Sequence, residues 1–97
     1  RNAMLFTQNG IMNLRNKKWE DDFSPLDPDG TSYVDKAYSK AYLHHLFKAQ
    51  ELLALQIASI HNLAFYLWLT REARRHIITG DFASWKASMV KRVAARL

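Results

Sequence analysis

The strongest constraint on this chain is a long stretch that favours helix, because residues 33–97 contain no proline. Within it, residues 63–69 read Leu-Ala-Phe-Tyr-Leu-Trp-Leu and are apolar around the whole circumference of a helix. A helix that is apolar on every side has to be buried on every side. Two flanking helices and a hairpin cannot cover it, so we expect a larger body of the same protein or a second copy of this chain to do so.

Capping residues divide this stretch into three predicted helices. Asp35 or Ser39 can cap the first helix, because their side chains accept hydrogen bonds from free backbone N–H groups. The second helix is predicted over about residues 51–78 and ends at Gly80, which suits a left-handed C-terminal position. Asp81 can cap the third helix. The apolar faces are Tyr38, Tyr42 and Leu46 on the first helix and Phe82, Trp85, Met89 and Val93 on the third.

The first third of the chain is predicted to form a β-hairpin followed by a loop. Two apolar runs, residues 4–7 and 11–14, flank Gln8-Asn9-Gly10, and Asn-Gly supplies the positive φ values of a tight turn. Residues 24–31 hold both prolines and are predicted to be an extended loop. The predicted fold is therefore α+β and mostly helical. It is one subdomain over residues 1–97, with the hairpin in 1–16, the loop in 17–34 and the helices in 35–97, and Trp19 is expected to anchor the loop.

Composition restricts the class of protein. With 97 residues the chain is at most one domain, and without cysteine it has neither disulfides nor thiolate metal sites. No run of about 18 apolar residues is present, so no transmembrane helix is expected. No secretory signal is visible either, which favours the cytoplasm. The net charge of +5 fits a nucleic-acid partner, although the basic face of the third helix is more simply a solvated surface.

Several spaced motifs resemble one known family. Residues 21–28 read D-D-F-S-P-L-D-P, residues 38–46 read Y-S-K-A-Y-L-H-H-L and residues 60–63 read I-H-N-L. They follow L-F-T at residues 5–7 and N-L-R-N at residues 13–16 in the same order. This pattern resembles the C-terminal subdomain of bacterial tRNA-guanine transglycosylases, and the resemblance covers almost the whole chain.

The resemblance implies that this chain is the tail of an irregular (β/α)8-barrel enzyme and supplies its last barrel helix. Family members exchange a guanine in the tRNA anticodon for a deazaguanine base during queuosine biosynthesis. One aspartate attacks the ribose anomeric carbon, and a second handles protons. Neither can be matched here, because Asp21, Asp22, Asp27 and Asp29 belong to the loop motif. We expect a barrel upstream to supply both, and the chain alone to be inactive, with no catalytic residue and no cofactor.

The resemblance also implies a structural zinc site that has lost its thiolates. Family members use three spacer cysteines and a histidine in an H-N-[LI] context, and these positions hold Gly30, Ser32, Asp35 and His61. Only the last two are good ligands, whereas a closed structural zinc site needs four. We therefore predict a variant without zinc, with an ordered loop. In it, Asp35 and His61 stay close and hydrogen-bond, and apolar packing replaces the metal.

Two contact surfaces follow from the resemblance. Arg1 matches an arginine that the family uses for tRNA, and Lys17 and Lys18 could add phosphate contacts. The barrel domain of the same enzyme is the other expected contact, and no membrane contact is expected. Arg1 and its neighbours are expected to be native sequence, because Arg-Asn before a small residue fits the family pattern.

A homodimer is also implied. Tyr38, Tyr42 and His45 lie at i, i+4 and i+7 and match aromatic and histidine positions of a family dimer contact, although part of this pattern could equally be intramolecular core. His44 and His45 are adjacent and point about 100° apart on a helix, so a structural role is favoured over metal binding. The alternatives to an enzyme tail are a stand-alone helical interaction or nucleic-acid-binding module and a non-catalytic paralogous subunit.

Overall fold

The computed structural model describes residues 3–97 as a two-stranded hairpin packed on helices. The architecture is α+β and mostly helical, as the sequence predicts. The strands are β1 (Met4–Thr7) and β2 (Gly10–Asn13), and a 3-10 turn follows at Lys17–Trp19. The helices are α1 (Val34–Ala37), α2 (Lys40–Lys48), α3 (Leu52–Thr79) and α4 (Phe82–Val93).

The predicted hairpin is confirmed, but its turn lies one residue earlier than expected. β1 and β2 are antiparallel, and Thr7 pairs with Gly10, so the connecting residues are Gln8 and Asn9. The Asn9 N–H donates to Thr7 Oγ1 at 3.2 Å, and that hydroxyl donates to the Gly10 carbonyl at 2.8 Å. The positive φ falls on Gly10 alone, at 144°, where β2 begins.

For the first predicted helix the Ser39 alternative is confirmed as the cap of α2, whereas the Asp35 alternative is wrong and a separate short helix, α1, precedes the break. Tyr38 is extended, with φ −124° and ψ 146°, and Ser39 follows with φ −90° and ψ 160°. Ser39 Oγ accepts the Tyr42 N–H at 3.1 Å and so caps α2. Asp35 lies inside α1 and caps nothing, since its carboxylate accepts the N–H of Ser32 instead.

The ends of α3 and α4 agree with the sequence, except for one cap. Gly80 ends α3 in the left-handed region at φ 85°, and its N–H donates to the His76 carbonyl at 3.1 Å. Asp81 precedes α4 without capping it, because its carboxylate accepts from the Thr79 hydroxyl at 2.6 Å and pairs with His76 at 2.8 Å. The predicted apolar face of α4 is confirmed, with Met89 fully buried and its three companions partly buried.

The core lies between the hairpin, the loop, α2 and the first half of α3. Trp19 is buried there and anchors the loop, as predicted. The end of the chain closes the far side of the hairpin, because the Ile11 N–H donates to the Ala95 carbonyl and the Leu97 N–H donates to the Ile11 carbonyl. This last pairing is not visible in the sequence. The largest buried apolar side chains are Phe47, Leu5, Met12, Leu14, Leu26, Leu43 and Ile57.

The second half of α3 leaves the core. Its buried residues all lie in the first half, whereas Leu63, Tyr66 and Leu67 are 60%, 61% and 48% exposed. By length and composition α3 is also able to span a membrane, with a mean hydropathy of 1.5, although no span is expected from the sequence. Near its middle, however, the side chains of His61 and Asn62 are hydrogen-bonded to the hairpin. α4 packs on this half, where the rings of Trp85 and His76 stack with centroids 5.0 Å apart, so the described part of the chain supplies only part of the cover that the sequence requires.

Candidate functional site

A cluster of three buried titratable side chains lies where the loop, α1 and α3 meet. Asp27, Asp35 and His61 each offer a ligand atom, and these atoms lie within 4.8 Å of one another. The residues are 5%, 1% and 1% exposed. The sequence identifies Asp35 and His61 as neighbours at this place, and the structure adds Asp27.

Both ring nitrogens of His61 are hydrogen-bonded, and their partners determine where the protons of the site lie. Nε2 lies 2.8 Å from the Phe6 carbonyl oxygen, which can only accept, so Nε2 carries a proton. Nδ1 contacts Asp35 Oδ1, and a hydrogen bond between these two atoms requires a second proton. The pair therefore holds one proton more than a neutral imidazole and a free carboxylate do. The predicted Asp35–His61 hydrogen bond is confirmed.

The electrostatics of the cluster favour that extra proton. Burial is the largest single influence on the pKa of His61 and lowers it, but the hydrogen bond and charge of Asp35, with smaller contributions from the Phe6 carbonyl and Asp27, raise the pKa overall. Burial likewise raises the pKa of Asp27, which the charge of Asp35 raises further and the charge of His61 opposes. The raised pKa values of His61 and Asp27 therefore favour the protonated forms of both side chains.

Backbone hydrogen bonds hold the loop around the cluster. The Leu26 N–H donates to the Tyr38 carbonyl at 2.8 Å, and the Asp27 N–H donates to the Asp35 carbonyl at 3.0 Å. The Asp27 carbonyl in turn accepts the Gly30 N–H at 3.0 Å. These bonds form a hydrogen-bonded turn between Leu26 and α1.

The residues present do not fit a structural zinc ion. Such a site needs four donors at about 2.0–2.3 Å from the metal, whereas Asp35 Oδ1 and His61 Nδ1 are bonded to each other. Gly30 has no side chain that could bind a metal ion. The Ser32 hydroxyl is buried without a hydrogen-bond partner among the described residues. The adjoining cavity is about 10 Å³ and is partly lined by Phe65 and Trp68. That volume is about the size of one water molecule.

Two of the three predicted tRNA-contacting residues are described. Lys17 and Lys18 are exposed on the 3-10 turn, and Lys18 Nζ lies 4.8 Å from the ring centroid of Trp19. Arg1 lies outside the described residues. The two lysines thus present positive charge beside a buried aromatic anchor.

The residues predicted at a dimer contact are only partly arranged as expected. The rings of Tyr38 and Tyr42 stack with centroids 5.6 Å apart and planes 9° apart. Tyr38 is not on α2, however, so the i, i+4 and i+7 relation does not hold for it. His45 is exposed, and its Nε2 donates to the Glu20 carbonyl at 3.2 Å.

His44 and His45 do not converge on a common ligand. His44 is buried, with Nδ1 2.7 Å from the Leu14 carbonyl oxygen, and its ring is inclined 76° to that of His45. The structural role predicted for the histidine pair is confirmed.

Besides Asp27, Asn62 is a residue at this site that residue-level reasoning missed. Its Oδ1 accepts the Phe6 N–H at 3.0 Å, and its Nδ2 donates to the Met4 carbonyl at 3.1 Å. Together with His61 it attaches α3 to β1. The only signal in the sequence was its place in the I-H-N-L motif, because these contacts join residues more than 50 positions apart.

Comparisons with known proteins identify the family of this chain. The profile of the queuine tRNA-ribosyltransferase family matches residues 1–95. The chain belongs to this family. It is 46% identical over 92 residues to a queuine tRNA-ribosyltransferase of Helicobacter acinonychis (strain Sheeba), an alignment that covers 95% of this chain and 25% of that protein. Over 97 residues it is 42% identical to the protein of the same name from Aquifex aeolicus (strain VF5), covering 100% of this chain and 26% of the relative.

A third queuine tRNA-ribosyltransferase, from Oleidesulfovibrio alaskensis, is 44% identical over 87 residues, which are 90% of this chain and 23% of that relative. The chain thus spans about a quarter of the length of the curated relatives that it matches. The family predicted from the spaced motifs is confirmed. The chain contains no cysteine, so the thiolate ligands that the resemblance implies are absent from it.

Proposed function

We propose that this chain is the C-terminal subdomain of a cytoplasmic tRNA-guanine transglycosylase, which exchanges anticodon guanine for a deazaguanine base. The family match over residues 1–95 supports this assignment. So does the length of the chain, which covers about a quarter of each relative. The role of the chain itself is structural and tRNA-supporting. The catalytic aspartates belong to the remainder of the enzyme, an irregular (β/α)8 barrel.

Two aspartates, Asp22 and Asp81, have side chains that support a structural rather than a catalytic role for these two residues. The Asp22 carboxylate accepts the Ser24 N–H at 3.1 Å and also its hydroxyl, and this side-chain bond is the main cause of the lowered pKa of Asp22. Asp81 is similarly occupied by Thr79, and its pKa is lowered. These carboxylates stabilise turns, and their low pKa makes them weak bases.

The outer face of α3 is the observation that carries the proposal. Leu63, Tyr66 and Leu67 are exposed on the side of the helix opposite His61, and Leu52 and Ile77 continue the same face. Exposed Thr70 and Arg74 separate Ile77 from the others, but Leu63, Tyr66 and Leu67 form an exposed apolar patch, and such patches are typical of protein contact sites. We infer that this face packs against the barrel domain of the same enzyme.

Two smaller surfaces complete the proposal. The stacked Tyr38–Tyr42 pair, together with His45, is proposed to contribute to a homodimer, because Tyr42 is 43% exposed and aromatic residues are enriched at such contacts. Lys17 and Lys18, with Arg1, are proposed to contact tRNA phosphates.

The test compares the chain alone with the polypeptide that includes the barrel. Incorporation of labelled guanine into tRNA is expected only with the barrel present, and exchange by the chain alone would refute the assignment of the chemistry. In the longer protein, Leu63→Asp should reduce solubility and exchange activity, whereas Ser88→Asp on the exposed side of α4 should not. Equal behaviour of the two variants would show that the outer face of α3 is not an internal contact.

A stand-alone module remains the second candidate, because the described elements close a core of their own around Leu5, Leu43 and Phe47. It predicts that the isolated chain is an ordered monomer that binds tRNA. Light scattering decides between the two, because the primary proposal expects the isolated chain to self-associate through the face of α3.

A further inference from the structure

We propose that a proton shared by Asp35 and His61 takes the place of a structural metal in this chain, and that Gly30 makes the space for the Asp35 carboxyl group. The inference concerns the stability of the fold. It goes beyond the proposed function and does not depend on tRNA binding or on catalysis.

The Asp35 carboxyl group lies where the other three positions of the implied zinc site converge. The Ser32 N–H donates to Oδ2 at 3.0 Å, and His61 Nδ1 contacts Oδ1. A Cβ atom added to Gly30 would overlap the same carboxyl group. A group that touches all three neighbours at once occupies the central place that a metal ion would take. The sequence-based expectation that apolar packing fills this place is therefore wrong.

The proton-bonded pair also connects the same elements that a metal would. Asp35 belongs to α1 and His61 to α3, and the second nitrogen of His61 extends the connection to β1 through the Phe6 carbonyl. A buried pair of this kind is stable only where every donor and acceptor has a partner. Here both carboxyl oxygens and both ring nitrogens have one.

The geometry makes residues 30 and 35 depend on each other. While Asp35 is present, any side chain at position 30 meets its carboxyl group, so a cysteine cannot be accommodated there alone. Conversely, removing the carboxyl group leaves His61 Nδ1 without a partner in a buried site. Glycine at position 30 and aspartate at position 35 are thus one joint replacement.

Metal analysis and chelation test the first half of the proposal. The purified protein should contain far less than one zinc per chain, and EDTA should leave its Tm unchanged. One tightly held zinc per chain, with a Tm that falls on chelation, would overturn the proposal.

A double-mutant cycle tests the second half. Gly30→Ala should lower the Tm by at least about 5 °C in the natural sequence, an effect of roughly 1 kcal/mol in a chain of this size. In the Asp35→Ala background the same change should have little effect, and Ser88→Ala is the matched control in both backgrounds. Because Asp35→Ala is itself strongly destabilising, all variants of the cycle are measured at the same concentration of sucrose, which stabilises the folded state enough to compare both backgrounds. An equal cost in both backgrounds would refute the coupling.

Restoring the ligands gives an independent test of convergence. The triple variant Gly30→Cys, Ser32→Cys and Asp35→Cys supplies three thiolates beside His61. It should bind one Co²⁺ with a tetrahedral thiolate absorption spectrum, and Zn²⁺ should displace that ion. Titration of the reduced variant without such a spectrum would show that the four positions do not form one site.

Discussion

Two substitutions of Asp35 separate the loss of a hydrogen-bonding group from the loss of a charge. Asp35 and His61 are each 1% exposed, so neither can exchange its lost partner for bulk water. Asp35→Ala leaves His61 Nδ1 and the Ser32 N–H without their acceptor. Removing one partner of a buried ion pair costs about 3–5 kcal/mol. Since domains of this size are stable by only about 5–15 kcal/mol, the variant should be close to unfolding.

Asp35→Asn should be much milder, because the amide can satisfy both neighbours. Its oxygen can accept the Ser32 N–H, and its NH₂ group can donate to Nδ1 of a neutral His61, which keeps its Nε2 proton for Phe6. A hydrogen bond between the introduced amide and neutral His61 would replace the one between the Asp35 carboxylate and His61. We therefore expect the free energy of unfolding to fall by only about 1 kcal/mol.

Urea unfolding followed by tryptophan fluorescence and circular dichroism measures both variants. With a slope of about 1–3 kcal/mol per molar urea, the two midpoints should differ by about 1 M or more. Equal losses for Asp35→Ala and Asp35→Asn would show that the charge of Asp35 matters and would refute the argument from its hydrogen bonds. An undiminished midpoint for Asp35→Ala would refute the structural importance of the pair.

Three further outcomes are expected. The fold raises the pKa of His61 above its ordinary value of 6.5. The stabilisation by the Asp35–His61 pair is therefore complete below pH 6.5 and is lost as the pH rises through the pKa of His61 in the folded protein. The urea midpoint should fall over that range, and a flat profile would contradict the shared proton. Asn62→Ala removes two bonds to β1 and should cost about 1–3 kcal/mol and speed amide exchange at Phe6, whereas Gln56→Ala, an exposed change on α3, should do neither. Ser39→Ala removes the cap of α2 and should cost about 1 kcal/mol in the same unfolding assay, and no loss would show that the cap is dispensable.

The sequence predicts those parts of the fold whose cause is local. Gly80 ends α3 because a left-handed residue is needed there, and the predicted helix boundaries are correct to within one residue. Ser39 is a local signal for the break before α2, but the extended conformation of Tyr38 at that break was not predicted, because its cause is not local. Tyr38, Tyr42 and Leu46 keep helical spacing across it, but the Tyr38 carbonyl accepts the Leu26 N–H and holds that residue extended. A tertiary hydrogen bond overrides the periodic pattern.

The candidate site was likewise predicted only in part. The spaced motifs were sufficient to bring Asp35 and His61 together, because motifs fix which positions face one another. They did not show what fills the space between them, which depends on the absent side chain of Gly30 and on the second proton of the pair. Asp27 was missed as a member of the cluster because its burial follows from the turn that it forms with Gly30.

The polar contacts of α3 explain how one helix can be apolar on all sides and still take a single position. His61 and Asn62 lie close to where the helix leaves the core, and both bind the β1 backbone. Adjacent side chains point about 100° apart on a helix, so a slip of one residue would break both sets of bonds at once. Apolar packing alone would tolerate such a slip, because almost every face of residues 63–69 is apolar. The two polar residues therefore determine which face of α3, that of Leu63 and Tyr66, points away from the core.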